Sequence, residues 1–332
     1  MLFQWLDSLT EKSDNPLLTM LPVYLPLILA ILLTGVLLKC LMHHLPADAG
    51  RAFAVNGEKS KGKPRGAGII FILVFAVLGI LFFVSDWENI LYIVLIVAAM
   101  LTGYFDDASE TPWNEYKKGL LDFLIAAGVT ATYMVSHMNH ADKCGASLPT
   151  FFGHAIPPAL VAVLAMILIW VSINVVNCTD GVDGLCGSLA IVSLLAFVFF
   201  IDTRHEGNEP VLLISLFIAC LIPYLWMNWK PSILLMGDAG SRAIGLFIAI
   251  IALKSESPFL FIPLCLVFIL DGGLGLIKVS LKRFLKISIM KNIRTPLHDH
   301  ARKKRGWSDV RTVLTFLAIQ VVIALITIAV FL

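Results

Sequence analysis

Two adjacent aspartates, Asp106 and Asp107, follow a run of apolar residues and are the first residues in the chain whose types suggest chemistry. Two neighbouring carboxylates repel each other, and a bound cation relieves that repulsion. A divalent metal ion is therefore the expected partner of this pair. The alternative is an ordinary solvated helix end, since paired aspartates are common on protein surfaces.

A second group of polar residues, Asn-Cys-Thr-Asp-Gly-Val-Asp-Gly, occupies residues 177–184. Asp180 and Asp183 are three positions apart and would share one face of a helix. Gly181 and Gly184 instead favour a turn, in which backbone N–H groups approach an anion. The alternative is an interhelical turn that is rich in aspartate and glycine but binds no ligand.

A third group combines Asn228 with residues 236–241, where Asp238 lies in a stretch flanked by glycines. We expect a short turn followed by a helix that begins at Ser241, because aspartate and serine are favoured at helix starts. The positive end of the helix would attract an anion while Asp238 holds a metal ion. The alternative is a helix cap without a catalytic part.

Two histidines, His298 and His300, form the last group, in a basic segment. If that segment is extended, both rings point the same way, since side chains alternate along a strand. Asp299 between them would repel a phosphate, so we expect it to face a cation such as Arg302 or to orient one of the rings. The alternative is a pair of ordinary exposed histidines.

These four groups supply carboxylates, amides and histidines among many lysines and arginines. Carboxylate and amide oxygens suit Mg²⁺, which keeps several waters and binds substrate phosphates. The six cysteines show no CxxC spacing, so neither a zinc site nor a disulfide framework is expected. Phosphoryl transfer fits these residues, because its catalysis is mostly positioning and charge neutralisation.

The chain that must position these groups has 332 residues, of which 58% are hydrophobic and 14% are charged. So few charged side chains cannot cover a soluble protein of this length. Crossing a bilayer takes about 20 apolar residues. We therefore expect an all-α integral membrane protein in which residues 1–332 form one polytopic domain. The sequence predicts ten transmembrane helices, at residues 20–42, 67–84, 90–104, 119–136, 157–176, 185–202, 210–228, 243–257, 258–280 and 312–332.

The basic residues are distributed unevenly between the two sides of these ten spans. Of 25 lysines and arginines, 21 fall on one side, and the other side receives Lys12, Lys143, Arg204 and Lys254. The more basic side of a membrane protein faces the cytoplasm. This rule places both termini outside the cell, and it places all four polar groups, and hence the active site, on the cytoplasmic face.

The motifs resemble those of the polyprenyl-phosphate N-acetylhexosamine-1-phosphate transferases, in the same order and along nearly the whole chain. The shared patterns are G-x-x-DD at residues 103–107, N-x-x-N-x-x-DG-x-DGL at 174–185, GD-x-GS at 237–241 and a late histidine motif at 296–300. Within that family, the chain looks most like the bacterial phospho-N-acetylmuramoyl-pentapeptide transferases, or translocase I.

Residues 61–68 carry part of that closer resemblance, and the Gly-Trp-Ser stretch at 306–308 carries another part. The sequence also departs from the pattern. Lys63 and Arg65 stand where threonines are usual, and Asp299 stands where a histidine is usual. These departures bear on the identity of the sugar nucleotide more than on the class of reaction.

The resemblance implies transfer of phospho-N-acetylmuramoyl-pentapeptide from its UDP conjugate to undecaprenyl phosphate, giving lipid I and UMP in peptidoglycan synthesis, with Mg²⁺ as cofactor. It implies a multi-pass location in the bacterial inner membrane. The lipid bilayer and the two substrates are the implied partners; a homodimer is left open and no nucleic acid is involved. Two alternatives remain, a transferase that uses UDP-N-acetylglucosamine and a cation-coupled transporter.

The resemblance also implies roles for single residues. Asp238 binds Mg²⁺ together with Asp106 and Asn177, and Asp106 and Asp107 either share the metal or activate the lipid phosphate. His298 contacts a phosphate as the fourth catalytic residue. The implied substrate-binding residues are Lys59, Lys61, Asn177, Asp180, Gly181, Asp183, Asn228 and His300.

Overall fold

The computed structural model describes residues 20–48, 50, 60–109, 111, 113–144, 150–151, 154–201, 208–255 and 257–332. Helices make up most of this part of the chain. They are α1 (Leu21–Leu41), α2 (Gly68–Leu78), α3 (Trp87–Asp107), α4 (Glu115–Cys144), α5 (Pro158–Thr179), α6 (Leu185–Val198), α7 (Glu209–Asn228), α8 (Gly237–Lys254), α9 (Phe261–Leu264), α10 (Leu266–Phe268), α11 (Leu274–Phe284), α12 (Leu297–Arg305) and α13 (Asp309–Phe331).

Each of the ten apolar windows coincides with a helix or with a run of short helices. The window at 258–280 is a broken helix, which bends by 69° between Pro258–Leu264 and Leu266–Phe284. Within the described residues, six helices are long and apolar enough to cross a membrane, and the bent pair raises the number to seven at most. The chain is therefore a multi-pass membrane protein of the expected helical class.

Helix α8 is not among those six, although it lies at the centre of the bundle. It packs against α3 and α5, and all its residues except Asp238 are buried. Arg242 pairs with Asp122 of α4, and Lys254 lies 3.6 Å from Glu88 of α3. Because these charges contact protein groups rather than lipid, α8 tolerates them in its sequence.

A glycine allows the end of α3 to approach the start of α8. A β-carbon at Gly103 would overlap the backbone carbonyl of Asp238, so a larger residue would push the two helices apart. Gly103 lies one turn before Asp106 and Asp107. The contact therefore brings two of the acidic groups in the sequence to one place.

Two short extended segments, 46–48 and 63–65, lie beside this contact. Arg65 N donates to Pro46 O, and Leu235 N donates to Pro64 O, both at 2.8 Å. Elsewhere β1 (Thr150–Phe151) pairs antiparallel with β2 (His154–Ala155). In the described part of the chain, these pairings are small departures from the expected all-α class.

Candidate active site

The aspartate pair lies at the last turn of α3, as the sequence predicts. Asp107 Oδ1 is 2.8 Å from Arg65 Nη2, and its Oδ2 accepts a hydrogen bond of 3.4 Å from Ala239 N. Asp106 accepts a 2.9 Å hydrogen bond from Trp113 N and forms an ion pair with Lys118. Both carboxylates are therefore buried against cations rather than exposed at a solvated helix end.

Asp238 joins the same group of charges. Its Oδ1 is 3.1 Å from Arg65 Nη2, and its Oδ2 is 3.6 Å from Lys118 Nζ. The expected helix start at Ser241 is wrong, because α8 already begins at Gly237 and Asp238 lies in its first turn. We call Asp106, Asp107 and Asp238 with the cations Arg65 and Lys118 the carboxylate centre.

Arg65 connects the carboxylate centre to the extended segments. Besides the two aspartates on Nη2, its Nη1 lies 3.2 Å from Asp48 Oδ1. Burial disfavours the charged guanidinium, but the carboxylates of Asp107, Asp238 and Asp48 together raise the pKa of Arg65 above its ordinary value. Asp180 is close enough to contribute to the same effect. Arg65 is therefore a permanent positive charge in this centre.

The 177–184 segment consists of the last three residues of α5 and a turn at 180–184, as its glycines predict, and it contacts α8. We call the whole segment the 177–184 turn. Asn177 Nδ2 donates to Ser241 Oγ at 2.9 Å, which places this amide beside the first turn of α8. Asp183 lies farther out, 3.4 Å from Lys230 Nζ and 3.9 Å from Lys63 Nζ. The segment thus has one part at the carboxylate centre and another in a surface ion-pair network.

Asn228 holds two loops together. Its Oδ1 accepts from Gly184 N at 2.8 Å, and its Nδ2 donates to Leu234 O at 2.9 Å. The side chain is buried, and both of its polar ends are engaged with backbone. The geometry therefore gives Asn228 a structural part, which fixes the position of the 177–184 turn relative to the segment before α8.

His298 lies against the same turn. Its backbone N donates to Asp271 Oδ1 at 2.7 Å. Its Nδ1 lies at the same distance, 2.7 Å, from Asp271 Oδ2. An ionised carboxylate only accepts, so Nδ1 carries the proton and Nε2 faces the opposite way. A β-carbon at Gly181 would overlap His298 Nε2. We call His298, Asp271, Gly181 and Arg302 the histidine centre, since Arg302 Nη1 donates to Gly181 O at 3.3 Å.

His300 does not point with His298, because residues 297–305 form helix α12 rather than an extended segment. Positions two apart on a helix project in different directions. His300 Nδ1 accepts a 3.1 Å hydrogen bond from Arg294 N, which stabilises the loop before α12. Asp299 lies 3.7 Å from Arg302 Nη1, as expected, but Asp271 rather than Asp299 orients His298.

Of the two lysines assigned to substrate, Lys61 is exposed on the segment that leads to Arg65. Lys59 lies outside the described residues. Three further residues belong to the site by geometry but were not predicted for it: Arg65, Lys118 and Asp271. Asp271 had a sequence signal, since it is the one acidic residue between 258 and 280.

Comparison with known proteins decides the family. A model described as glycosyl transferase family 4 matches residues 89–256, about half of the chain. The phospho-N-acetylmuramoyl-pentapeptide-transferase of Treponema pallidum (strain Nichols) is 39% identical over 83% of this chain and 80% of that protein. The chain belongs to the phospho-N-acetylmuramoyl-pentapeptide transferase family.

Other members of this transferase family match a similar share of the chain. The protein of that name from Dictyoglomus turgidum is 30% identical over 80% of this chain and 82% of its own length. The one from Wolbachia of Brugia malayi is 28% identical over 81% and 84%. The family-model match runs from α3 to α8, so it includes the three aspartates of the carboxylate centre but not His298.

The carboxylate centre fits a divalent cation in the type of its donors. Among the described residues, no three histidine, cysteine, aspartate or glutamate side chains surround one point as a protein-only metal site requires. Mg²⁺ does not need such a site, because it is commonly held by one or two carboxylates, several waters and substrate phosphates. Asp107 and Asp238, which approach the same guanidinium nitrogen, supply such a pair.

Proposed function

We propose that this transferase moves phospho-N-acetylmuramoyl-pentapeptide from its UDP conjugate to undecaprenyl phosphate, giving lipid I and UMP in peptidoglycan synthesis. The observation that carries the proposal is the meeting of all four polar groups at one place in a chain of this family. Asp107 contacts Ala239, Asn177 contacts Ser241 and His298 lies against Gly181. A scaffold or a transporter would not require acids, amides and a fixed histidine to gather at one membrane edge.

The proposed membrane arrangement has ten spans with both termini outside and the active site on the cytoplasmic face of the bacterial inner membrane. Its support is the agreement between the ten apolar windows and the helices, together with the excess of basic residues on one side. An even number of spans returns both ends to the same side. The cytoplasmic face is where a soluble sugar nucleotide meets a lipid phosphate held in the bilayer.

The reaction exchanges one phosphorus–oxygen bond for another. An oxygen of the lipid phosphate attacks the phosphorus attached to the sugar, and the bond from that phosphorus to the bridging oxygen breaks, so that its electron pair leaves with UMP. A phosphate monoester has a second pKa near 6, so at neutral pH the attacking group is mostly a dianion already. The main obstacle is therefore repulsion between two anionic groups, and not removal of a proton.

The residues of this chain reduce that repulsion. Asp107 and Asp238 would hold the divalent cation, which would neutralise phosphate charge, with Asp106 and Asn177 as the further ligands that the sequence predicts. Lys118 and Arg65 add fixed positive charge at the same place. His298 is held with Nε2 toward the 177–184 turn, where an Nε2–H group would donate to a phosphate oxygen. Lys59, Lys61, Asp180, Gly181, Asp183 and His300 complete the proposed substrate-binding set.

The experiment that tests the proposal compares two sugar nucleotides as substrates. Purified protein in detergent receives undecaprenyl phosphate and Mg²⁺, with either UDP-N-acetylmuramoyl-pentapeptide or UDP-N-acetylglucosamine, and UMP release is measured. We expect release with the first nucleotide and none above background with the second. Release only with the second would identify a GlcNAc-1-phosphate transferase. No UMP from either nucleotide, in protein with a normal melting temperature, would remove the transferase function and leave the transporter.

A further inference from the structure

Arg65 occupies an unusual place for a side chain in a centre that is proposed to bind a cation. Its Nη2 lies 2.8 Å from Asp107 Oδ1 and 3.1 Å from Asp238 Oδ1, so one guanidinium nitrogen touches both proposed ligands. The Asp107 carboxylate is only 1% exposed and that of Asp238 is 13% exposed. A cation that binds to this pair must therefore settle beside the guanidinium or displace it.

The guanidinium is also held through its other terminal nitrogen, Nη1. Its Nη1 contacts Asp48, whose other oxygen accepts a 2.6 Å hydrogen bond from Ser60 Oγ. The backbone of Arg65 is fixed by its bond to Pro46 O. Asp48 thus acts as a second anchor, which competes with Asp107 and Asp238 for the same guanidinium.

Carboxyl groups outnumber the side-chain cations they contact in the described part of this region. Asp48, Asp106, Asp107 and Asp238 share contacts with Arg65 and Lys118. These carboxyl groups attract a divalent ion, but the same two cations repel it at short range. The affinity for the metal is then set by the side-chain cations as well as by the ligands.

We propose that Arg65 is a built-in competitor for the metal: it neutralises Asp107 and Asp238 when no divalent cation is bound, and it weakens cation binding until a substrate diphosphate draws the guanidinium aside. This inference rests on the proposed metal-dependent transfer and adds to it a residue that links the metal to the diphosphate. Arginine suits this part because its planar fork can pair with carboxylate or phosphate oxygens in the same way.

The test measures Mn²⁺ binding to the full-length protein without substrates, by the electron paramagnetic resonance of the free ion. We expect Arg65→Gln to tighten Mn²⁺ binding by at least about tenfold, because a charge next to the ion is removed. The matched control is Lys63→Gln, which removes one positive charge from the same segment but whose amine contacts Ser232 and Asp183. It should change the Kd by less than about twofold, since this amine pairs with Asp183 and not with Asp107 or Asp238.

Two further variants protect the test against misfolding. Arg65→Lys keeps a charge but lacks the fork, and its Mn²⁺ affinity should fall between those of the wild type and Arg65→Gln. Asp48→Asn removes the anchor, leaves Arg65 to Asp107 and Asp238, and should weaken Mn²⁺ binding. When Asp48→Asn is combined with Arg65→Gln, it should weaken Mn²⁺ binding less than it does in the wild-type background. A general loss of negative charge would instead weaken binding equally in both backgrounds.

The outcomes separate this inference from the proposed function. Unchanged or weaker Mn²⁺ binding in folded Arg65→Gln, together with loss of binding in Asp238→Asn, would overturn the competition while leaving the metal site in place. If neither the wild type nor Arg65→Gln takes up Mn²⁺ at millimolar concentration, with or without the UDP-sugar substrate, both would be overturned. Tighter binding in Arg65→Gln, an intermediate value for Arg65→Lys and the opposite sign for Asp48→Asn would establish the competition.

Discussion

The carboxylate centre and the histidine centre lie on either side of the 177–184 turn, but they are built in opposite ways. In the carboxylate centre, each cation contacts two or more carboxylates, and the cationic side chains remain 19% to 30% exposed. In the histidine centre, one fully buried carboxylate, Asp271, makes two short bonds to one residue. The first arrangement can exchange partners, and the second cannot.

This difference indicates how the two centres contribute to phosphoryl transfer. Shared ion pairs are weakly directional, so the carboxylate centre can accept a metal ion and a diphosphate by exchanging one partner for another. Two hydrogen bonds at fixed angles hold the imidazole in one orientation and one tautomer. Substitutions should therefore act through charge in the carboxylate centre and through position in the histidine centre.

The largest effect should come from removing a charge in the carboxylate centre. Asp238→Asn keeps the shape of the side chain but not its charge, and we expect UMP release to fall by at least about 10²-fold, as for other preorganised electrostatic groups. The melting temperature in detergent should stay near that of the wild type. A folded Asp238→Asn protein with a near-normal rate would mean that charge at this position does not matter.

In the histidine centre, a single added methyl group should be harmful. Gly181→Ala places a β-carbon where His298 Nε2 lies, and His298 cannot retreat while both of its bonds to Asp271 are kept. We expect kcat/KM to fall by roughly 10- to 100-fold, because small displacements of positioned groups have effects of that size. The matched control is Gly119→Ala, which has open space around it and should retain activity. Equal rates for the two variants would show that the position of His298 is not critical.

Asp271→Asn tests the same centre through its hydrogen bonds. The amide can accept one of the two bonds from His298, but its NH₂ group faces the other donor, so one buried donor is left unsatisfied. Such a loss costs about 1–3 kcal/mol of stability, and we expect turnover to fall about tenfold as well. Asp299→Asn is the control, since Asp299 Oδ1 lies 3.9 Å from His298 Nε2, which is too far for a hydrogen bond that would orient the ring. A larger effect of Asp299→Asn than of Asp271→Asn would reverse the assignment of the orienting residue.

The sequence predicts the helices well because each apolar window has to be helical inside a bilayer, where backbone groups must satisfy one another. It fails at details that depend on neighbours. Helix α8 starts four residues before the expected Ser241, because Asp238 is not a cap but a side chain of the first turn. The break at Cys265 within the 258–280 window cannot be predicted from hydropathy alone, because the residues on both sides of it are apolar.

The candidate site is predictable where the residues are costly in a membrane and lie next to one another in sequence. The aspartates and histidines meet both conditions. Arg65 and Asp271 do not meet the second condition, because the partner of each is far away in the sequence. Arg65 pairs with Asp238, 173 positions away, and Asp271 pairs with His298, 27 positions away. Pairings of that kind are set by tertiary packing, which no local pattern encodes.

The smallest effect should be found outside both centres, in the ion pairs that join the surrounding loops. Lys230 Nζ lies 2.7 Å from Asp309 Oδ2 and 3.4 Å from Asp183 Oδ2. Partial burial opposes its charge, but the bonds to Asp309 and the nearby Asp183 raise the pKa of Lys230 above its ordinary value. A raised lysine pKa adds stability below the unfolded-state value near 10.4, and this stability is lost only as pH rises through the still higher folded value.

We therefore expect Lys230→Met to lower the free energy of unfolding by about 0.2–1 kcal/mol, the range for solvent-screened pairs, and by the same amount from pH 6 to 9. Melting curves in detergent at three pH values measure this, and a loss that grew across that range would mean that Lys230 titrates there and is not held by these carboxylates.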